Sequence, residues 1–187
     1  MDIALLQEQV AVYRNEEAYK QLFLHFYKGL VRFADTYVRQ GEVAEELVSD
    51  AILKVWTMKE GLLNIHNLKV YLFKSVKNAA INYLVKNRNY IVCDIDNIAP
   101  ASFVSYLTPE DIYIGRELKN DFAKAISQLP PKCQMAYKLV REEKFSYKEV
   151  AAIMEISENT VDRHLNIAMR RLADVFKTHR GSSAGKF

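Results

Sequence analysis

Four side chains near the C-terminal end of the chain have the chemistry to read base edges. Asn159, Arg163, Asn166 and Arg170 recur at three- and four-residue steps. On a helix, at about 100° per residue, they fall in one band about 60° wide. Val161, Leu165, Ala168, Leu172 and Phe176 gather on the opposite side, within about 80° of one another. Arginine can donate two hydrogen bonds to guanine, and asparagine can pair with an adenine edge, both in the major groove. A polar stripe is also what any solvated helix shows, so it needs a frame that aims it. The preceding residues supply one. Ser146-Tyr-Lys-Glu149 is a capping-box pattern that opens a helix, serine capping the start while glutamate reaches back. Val150, Ala151 and Ile153 give that helix an apolar face; Glu155-Ile156-Ser157 then separate it from the next, with Ser157 placed as its N-cap. Helix, short turn and helix is the helix-turn-helix arrangement, whose second helix enters the major groove.

A second constellation lies between Glu60 and Asp94, where no acidic residue occurs. The same stretch carries Lys69, Lys74, Lys77, Lys86 and Arg88. A bias that local suggests a surface tracking phosphate. Within it Tyr71, Asn78 and Asn82 share one helical strip, about 40° across. A ring offers stacking to an unpaired base, and an amide offers a donor and an acceptor. The asparagines are equally compatible with a plain surface. A third group is on the segment before it. Ala44, Leu47, Ala51 and Val55 make one apolar face, while Leu53 and Trp56 point elsewhere, beside Glu46, Ser49 and Asp50. An apolar pair rimmed by polar groups suggests a protein interface, unless the domain folds that face into its own core.

The elements that must position these residues are all helical. Ile3, Leu6 and Val10 start a short helix. From Glu16 to Arg39, Leu22, Phe23, Phe26, Leu30, Phe33, Ala34 and Tyr37 recur at helical steps, and Gly41 is placed to end that helix in a left-handed cap. Further helices fit Val43–Lys59 and Asn67–Lys86, after a break at Gly61–Asn64. From Ile91 to Asp111 the pattern fails; that stretch holds Pro100, Pro109, Asp94, Asp96, Glu110 and Asp111, with no lysine or arginine, and reads as an acidic linker. Helical patterning resumes at Ile112–Leu129, Lys132–Glu142, Tyr147–Met154 and Glu158–Phe176, with a flexible tail from Gly181. The expectation is an all-α protein of two small helical domains joined by a flexible acidic linker. The divisions fall at 1–90, 91–111, 112–180 and 181–187, and the second domain carries the helix-turn-helix.

Bulk composition excludes little else. The chain has 187 residues, half of them hydrophobic and 26% charged, with a net charge of +3; that is a globular composition, mildly compatible with a polyanionic partner. His25, His66, His164 and His179 are scattered. No metal-ligand spacing, nucleophile motif or glycine-rich phosphate loop is present, so no catalytic residue, metal or cofactor is expected and the protein reads as no enzyme. Cys93 and Cys133 lie far apart and read as free thiols. Met1 begins no basic-then-apolar leader, and no apolar run approaches about 18 residues. The expected location is therefore the cytoplasm, with no membrane insertion.

These residues together resemble a family. Glu45-Glu-Leu-Val-Ser-Asp-Ala-Ile-Leu-Lys-Val-Trp56 resembles the polymerase-binding helix of bacterial sigma factors. Leu68-Lys-Val-Tyr-Leu-Phe-Lys-Ser-Val-Lys-Asn-Ala-Ala-Ile-Asn-Tyr-Leu84 is similar to their helix for melting and reading the minus-ten element. Leu129-Pro-Pro-Lys-Cys and Phe145-Ser-Tyr-Lys-Glu-Val-Ala through Asn159-Thr-Val-Asp-Arg-His-Leu resemble the domain that reads the minus-thirty-five element. The likeness runs over about residues 10 to 176 and is nearest to the short, extracytoplasmic-function type.

The resemblance implies that Leu47, Asp50, Leu53 and Trp56 dock on the clamp helices of the β′ subunit of RNA polymerase core. It implies that Asn78, with Tyr71, Lys74, Asn82 and Arg88, binds the minus-ten element. It places Ser157, Asn159, Thr160, Arg163, Asn166 and Arg170 on minus-thirty-five promoter DNA, and makes an inhibitory anti-sigma factor a usual partner. Two positions depart from the pattern. Glu155 stands where glycine is frequent, so the turn is expected to be shaped slightly differently. Asp162 stands where a basic residue is frequent; either its neighbours supply the attraction to phosphate or it reads a cytosine amino group. The competing reading is a free-standing helix-turn-helix regulator with a helical dimerisation or sensor domain, which leaves the acid-free helix at 66–88 unexplained.

Overall fold

The computed structural model describes residues 1–87 and 116–183. Every regular element among them is helical: α1 (Ile3–Ala11), α2 (Glu16–Val38), α3 (Gly41–Thr57), a 3-10 segment (Lys59–Asn64), α4 (Leu68–Lys86), α5 (Arg116–Ser127), α6 (Pro131–Arg141), α7 (Tyr147–Met154) and α8 (Glu158–Ser183). They form two compact units, the first made mainly of the residues up to 92 and the second mainly of those after it. The acidic stretch 91–111, Cys93 and Arg88 lie outside the described residues.

In the first unit the starts of α1, α2 and α4 each have a polar cap, while α3 starts at Gln40 without a side-chain cap bond. Asp2 accepts from Ala4 N at 3.0 Å, Asn15 from Ala18 N at 3.0 Å and Asn67 from Val70 N at 3.0 Å, satisfying backbone donors that helix geometry leaves open. α2 is the spine. It buries Leu22, Phe26, Leu30, Phe33 and Ala34 and packs on α1, α3 and α4. Its end differs from expectation. Arg39, not Gly41, takes the left-handed conformation (φ 54°) and donates its N–H to Asp35 O. Gln40 is then extended and Gly41 is the first residue of α3. The bond to Asp35 offsets the roughly 1 kcal/mol a non-glycine residue gives up in that conformation, and glycine is not needed.

α3 lies against both α2 and α4, so the face it buries is broader than sequence periodicity suggested. Val48 and Ile52 join Ala44, Ala51 and Val55 in the core, while Leu47, expected on that face, is only half-buried. The 3-10 segment buries Leu62 completely. Gln7 of α1 reaches it: Nε2 donates to Leu62 O at 2.7 Å and to Ile65 O at 2.8 Å. One buried amide thereby fixes the backbone that leads into α4.

In the second unit Pro130 and Pro131 stop α5 and start α6, with Pro131 in the first helical turn, where its missing N–H costs nothing. Leu129, Cys133, Ala136, Leu139, Val150, Val161, Leu165, Ala168 and Leu172 form the core, and α8 packs on α5 and α6. α8 continues to Ser183, beyond the end expected at Phe176 and into the tail expected to be flexible from Gly181. No proline interrupts it, and a single glycine costs a helix only about 1 kcal/mol. The side chain of Phe176 lies outside the described residues.

Candidate nucleic-acid interface

The helix-turn-helix is built by three local devices. Ser146 Oγ accepts from Glu149 N at 3.3 Å while Glu149 Oε2 accepts from Ser146 N at 2.8 Å, closing the capping box that starts α7. Glu155 then takes the left-handed conformation, φ 59° and ψ 45°, and its N–H bonds to Ala151 O. The expectation that a non-glycine residue here would reshape the turn is corrected. Glu155 adopts the conformation glycine would take, and Ile156 N completes the cap on Ala151 O at 3.1 Å. Ser157 finally caps α8, accepting from Thr160 N at 3.2 Å and sharing a hydroxyl bond with Thr160 Oγ1 at 2.8 Å. Ser157 and Thr160 are thus bonded to each other, and their first role is to start the helix.

α8 divides as its sequence implied. Val161, Leu165, Ala168 and Leu172 are buried, and Asn159, Arg163, Asn166 and Arg170 are all exposed. One further bond ties Asn166 Nδ2 to Asp162 Oδ2 at 2.9 Å. Arg171, off the stripe, donates from Nη1 to Gln128 O at 3.5 Å, at the end of α5. Beneath the helix, Cys133 Sγ lies 3.5 Å from His164 Nδ1. Burial pushes the thiol up, against a lowering pull from Arg171. Burial first, then Lys132 and Arg163, hold the imidazole below the usual histidine value. Both groups are therefore neutral near pH 7, and the charge on this side of α8 comes from its arginines.

In the first unit α4 exposes Asn78, Asn82 and Lys74 on its outer side. Two expected members behave differently. Lys77 is 5% exposed, because its position falls among Phe73, Val76 and Ala80 on the buried side; it contributes little to an outer charged face. Tyr71 is half-buried, and its hydroxyl donates to Met58 Sδ at 3.6 Å, so the ring is anchored at its polar end.

α3 presents Leu53 at 52% exposure, with Asp50 exposed and Leu47 half-buried. Trp56 is not the open residue the sequence suggested. The Arg14 guanidinium sits 3.9 Å from its ring centroid, an Arg14 N–H donates to the Trp56 carbonyl, and the Tyr19 ring lies 5.1 Å away at 58°. A cation over an indole face is worth about 0.5–2 kcal/mol, enough to hold one rotamer. Sequence reasoning missed Arg14, Tyr19 and Gln7, since nothing local marks a partner some 40 or 55 residues away in the chain. Among the described residues no group of three or more His, Cys, Asp or Glu side chains is placed to hold a metal. No helix among them is long and apolar enough to cross a membrane.

A compact helical unit with an exposed amide strip, and a second unit with a capped helix-turn-helix, define a two-region transcription factor of the sigma-70 type. Residues 22–90 match the model for sigma-70 region 2, and residues 119–172 match that for sigma-70 region 4. The chain belongs to this family, as a sigma factor of the extracytoplasmic-function type, directing RNA polymerase core to promoters to initiate transcription. It is 28% identical over 167 residues to the extracytoplasmic-function RNA polymerase sigma-E factor of Escherichia coli (strain K12), covering 83% of this chain and 87% of that one. It is 23% identical over 161 residues to the sigma factor SigM of Bacillus subtilis (strain 168), covering 83% of this chain and 93% of that one. Among solved structures, the sigma factor RpoE of Bartonella quintana, in complex with the anti-sigma factor NepR, aligns with a TM-score of 0.63 at 25% identity over 85% of this chain and 96% of that one. CnrH, in complex with the cytosolic domain of CnrY, aligns at 0.59 and 16% identity over 95% and 99%, a likeness of fold alone. The match over 22–90 accounts for the segment that a free-standing helix-turn-helix regulator leaves unexplained.

Proposed function

We propose that the two units divide promoter recognition between them. In the first, taken as 1–90, Leu47, Asp50, Leu53 and Trp56 of α3 dock on the β′ clamp helices of polymerase core. Asn78 and Asn82 of α4, with Tyr71, Lys74 and Arg88, hold the minus-ten element. In the second, 112–180, α8 enters the major groove at the minus-thirty-five element with Asn159, Arg163, Asn166 and Arg170 outward, Ser157 and Thr160 fixing its start. The stretch 91–111 is the link between them and the last residues, 181–187, a tail. The observation that carries this reading is the exposed Asn/Arg stripe of α8 opposite its buried Val161/Leu165/Ala168/Leu172 face. The protein works without catalysis of its own, in the cytoplasm where polymerase acts. Its further partner is an anti-sigma factor that covers these faces, the kind of partner with which RpoE of Bartonella quintana was solved.

The test is the pair of arginines on the stripe. Arg163, in the second turn of α8, reaches base edges; Arg170, two turns on, meets phosphate. Arg163→Ala is expected to cost about 1–3 kcal/mol and relax preference at one or two base pairs. Arg170→Ala is expected to weaken all sequences alike and lower the salt slope by about one. Affinity of the polymerase complex for wild-type and single-base-changed minus-thirty-five elements, at several salt concentrations, separates the two. A uniform loss for Arg163→Ala with a selective loss for Arg170→Ala reverses the docking direction.

A further inference from the structure

An acid on the DNA-facing side of a reading helix needs a reason. Asp162 is exposed and lies about 40° around the helix from Asn166, at the flank of the outward stripe. Left alone it would face phosphate and weaken binding. It is not left alone: Asn166 Nδ2 donates to its Oδ2 at 2.9 Å, which draws the carboxylate toward the stripe. The bond engages one oxygen of Asp162, and the other can still accept a hydrogen bond. The pair is therefore richer in acceptors than an Asn/Arg stripe would otherwise be.

Major-groove chemistry then narrows what it fits. Guanine and thymine present acceptors there, O6 and N7 or O4, and a carboxylate is repelled by both. Adenine presents an N6 donor, but with the N7 acceptor beside it. Cytosine presents its N4 amino group without an adjacent acceptor, and is the base that acidic side chains accept from. We infer that Asp162, held by Asn166, is a specificity-determining residue that selects cytosine at one position of the minus-thirty-five element. The inference rests on the placement of α8 in the major groove proposed above.

The experiment uses the full chain with polymerase core and a promoter library randomised through the minus-thirty-five element, read by sequencing the bound fraction. Wild type is expected to favour cytosine at one position by about tenfold over thymine, a typical value for one good base contact. Asp162→Ala abolishes that preference and leaves the others intact. Asp162→Asn keeps the side chain's size and moves the preference toward adenine, whose N6/N7 edge an amide matches. Asn166→Ala weakens the cytosine preference because the carboxylate is no longer held. Unchanged base preferences in Asp162→Ala, with Arg163→Ala still selective, overturn the inference and leave the docking of α8 standing. If neither variant alters any preference, the docking fails and the inference with it.

Discussion

Gln7 offers the sharpest test of how the first unit prepares α4. Its side chain is 8% exposed and donates to Leu62 O and Ile65 O at 2.7 and 2.8 Å. Gln7→Met keeps an unbranched chain of similar length and removes both donors. Leu62 O still accepts from Ile65 N at 3.1 Å, so that end loses one bond of two. Two net hydrogen bonds at about 0.5–1.5 kcal/mol each give a loss of about 1–3 kcal/mol. Gln7→Glu is expected to cost more, since a carboxylate would face two carbonyl oxygens with no proton to donate. Trp56 is the only tryptophan in the chain, so its fluorescence during urea unfolding reports this unit alone. With a slope of about 1 kcal/mol per molar urea for so small a unit, the midpoint for Gln7→Met falls by about 1–3 M. A midpoint within about 0.3 M of wild type, well below that expected shift, would refute the claim that this amide fixes the segment before α4.

Three further outcomes are expected. Leu53→Asp, at an exposed position, leaves the urea midpoint near wild type and weakens binding to polymerase core by about tenfold or more; unaltered affinity in a pull-down titration removes α3 from the interface. Asn78→Ala impairs strand opening more than closed-complex formation, because an amide can hold an unstacked base only after the strands part. Permanganate reactivity on a duplex promoter measures this, and a pre-melted bubble is not expected to rescue it; normal opening would mean the strip on α4 is not the pocket. His164 gives a pH test. Its folded pKa is lowered, by burial first and then by Lys132 and Arg163, so the unfolded chain takes up its proton at higher pH. The contribution is present above the ordinary histidine value, near 6.5, and lost as pH falls through it toward the lowered folded value. Wild type should lose stability relative to His164→Gln between pH 7.5 and 5.5; a constant difference between the two would show the imidazole is not held neutral.

Sequence periodicity carried the helices well and their surfaces less well. α2 and α8 were legible because their apolar residues fall in one stripe at helical steps. The α3 helix was legible too, but not how much of it is buried: Val48 and Ile52 join the core where it packs on α2 and α4. Lys77 was read as surface charge from its type alone; its place beside Val76 and Ala80 puts it inside. Trp56 looked unpartnered because its partners, Arg14 and Tyr19, come from the α1–α2 turn and the start of α2. By contrast, the capping box and the α8 stripe depend on spacings of three and four residues, and such local geometry is written directly in the chain. The Asp162–Asn166 bond belongs to the same class; its spacing is helical, and only the tie between the two side chains is not written in the chain.

Cys133 turns the second unit into a clock. Its thiol is 2% exposed and raised in pKa by burial, and a buried, protonated thiol does not react with alkylating reagents. Modification must therefore wait for α6 to part from α8, and its rate measures how often that happens. Peptide mapping separates it from labelling of Cys93. Because the core under Cys133 is the one that supports Arg163, the same trace taken with and without promoter DNA would report how far binding suppresses the openings of the reading helix. That quantity is kinetic, is accessible without any engineered label, and comes from a side chain buried in the core.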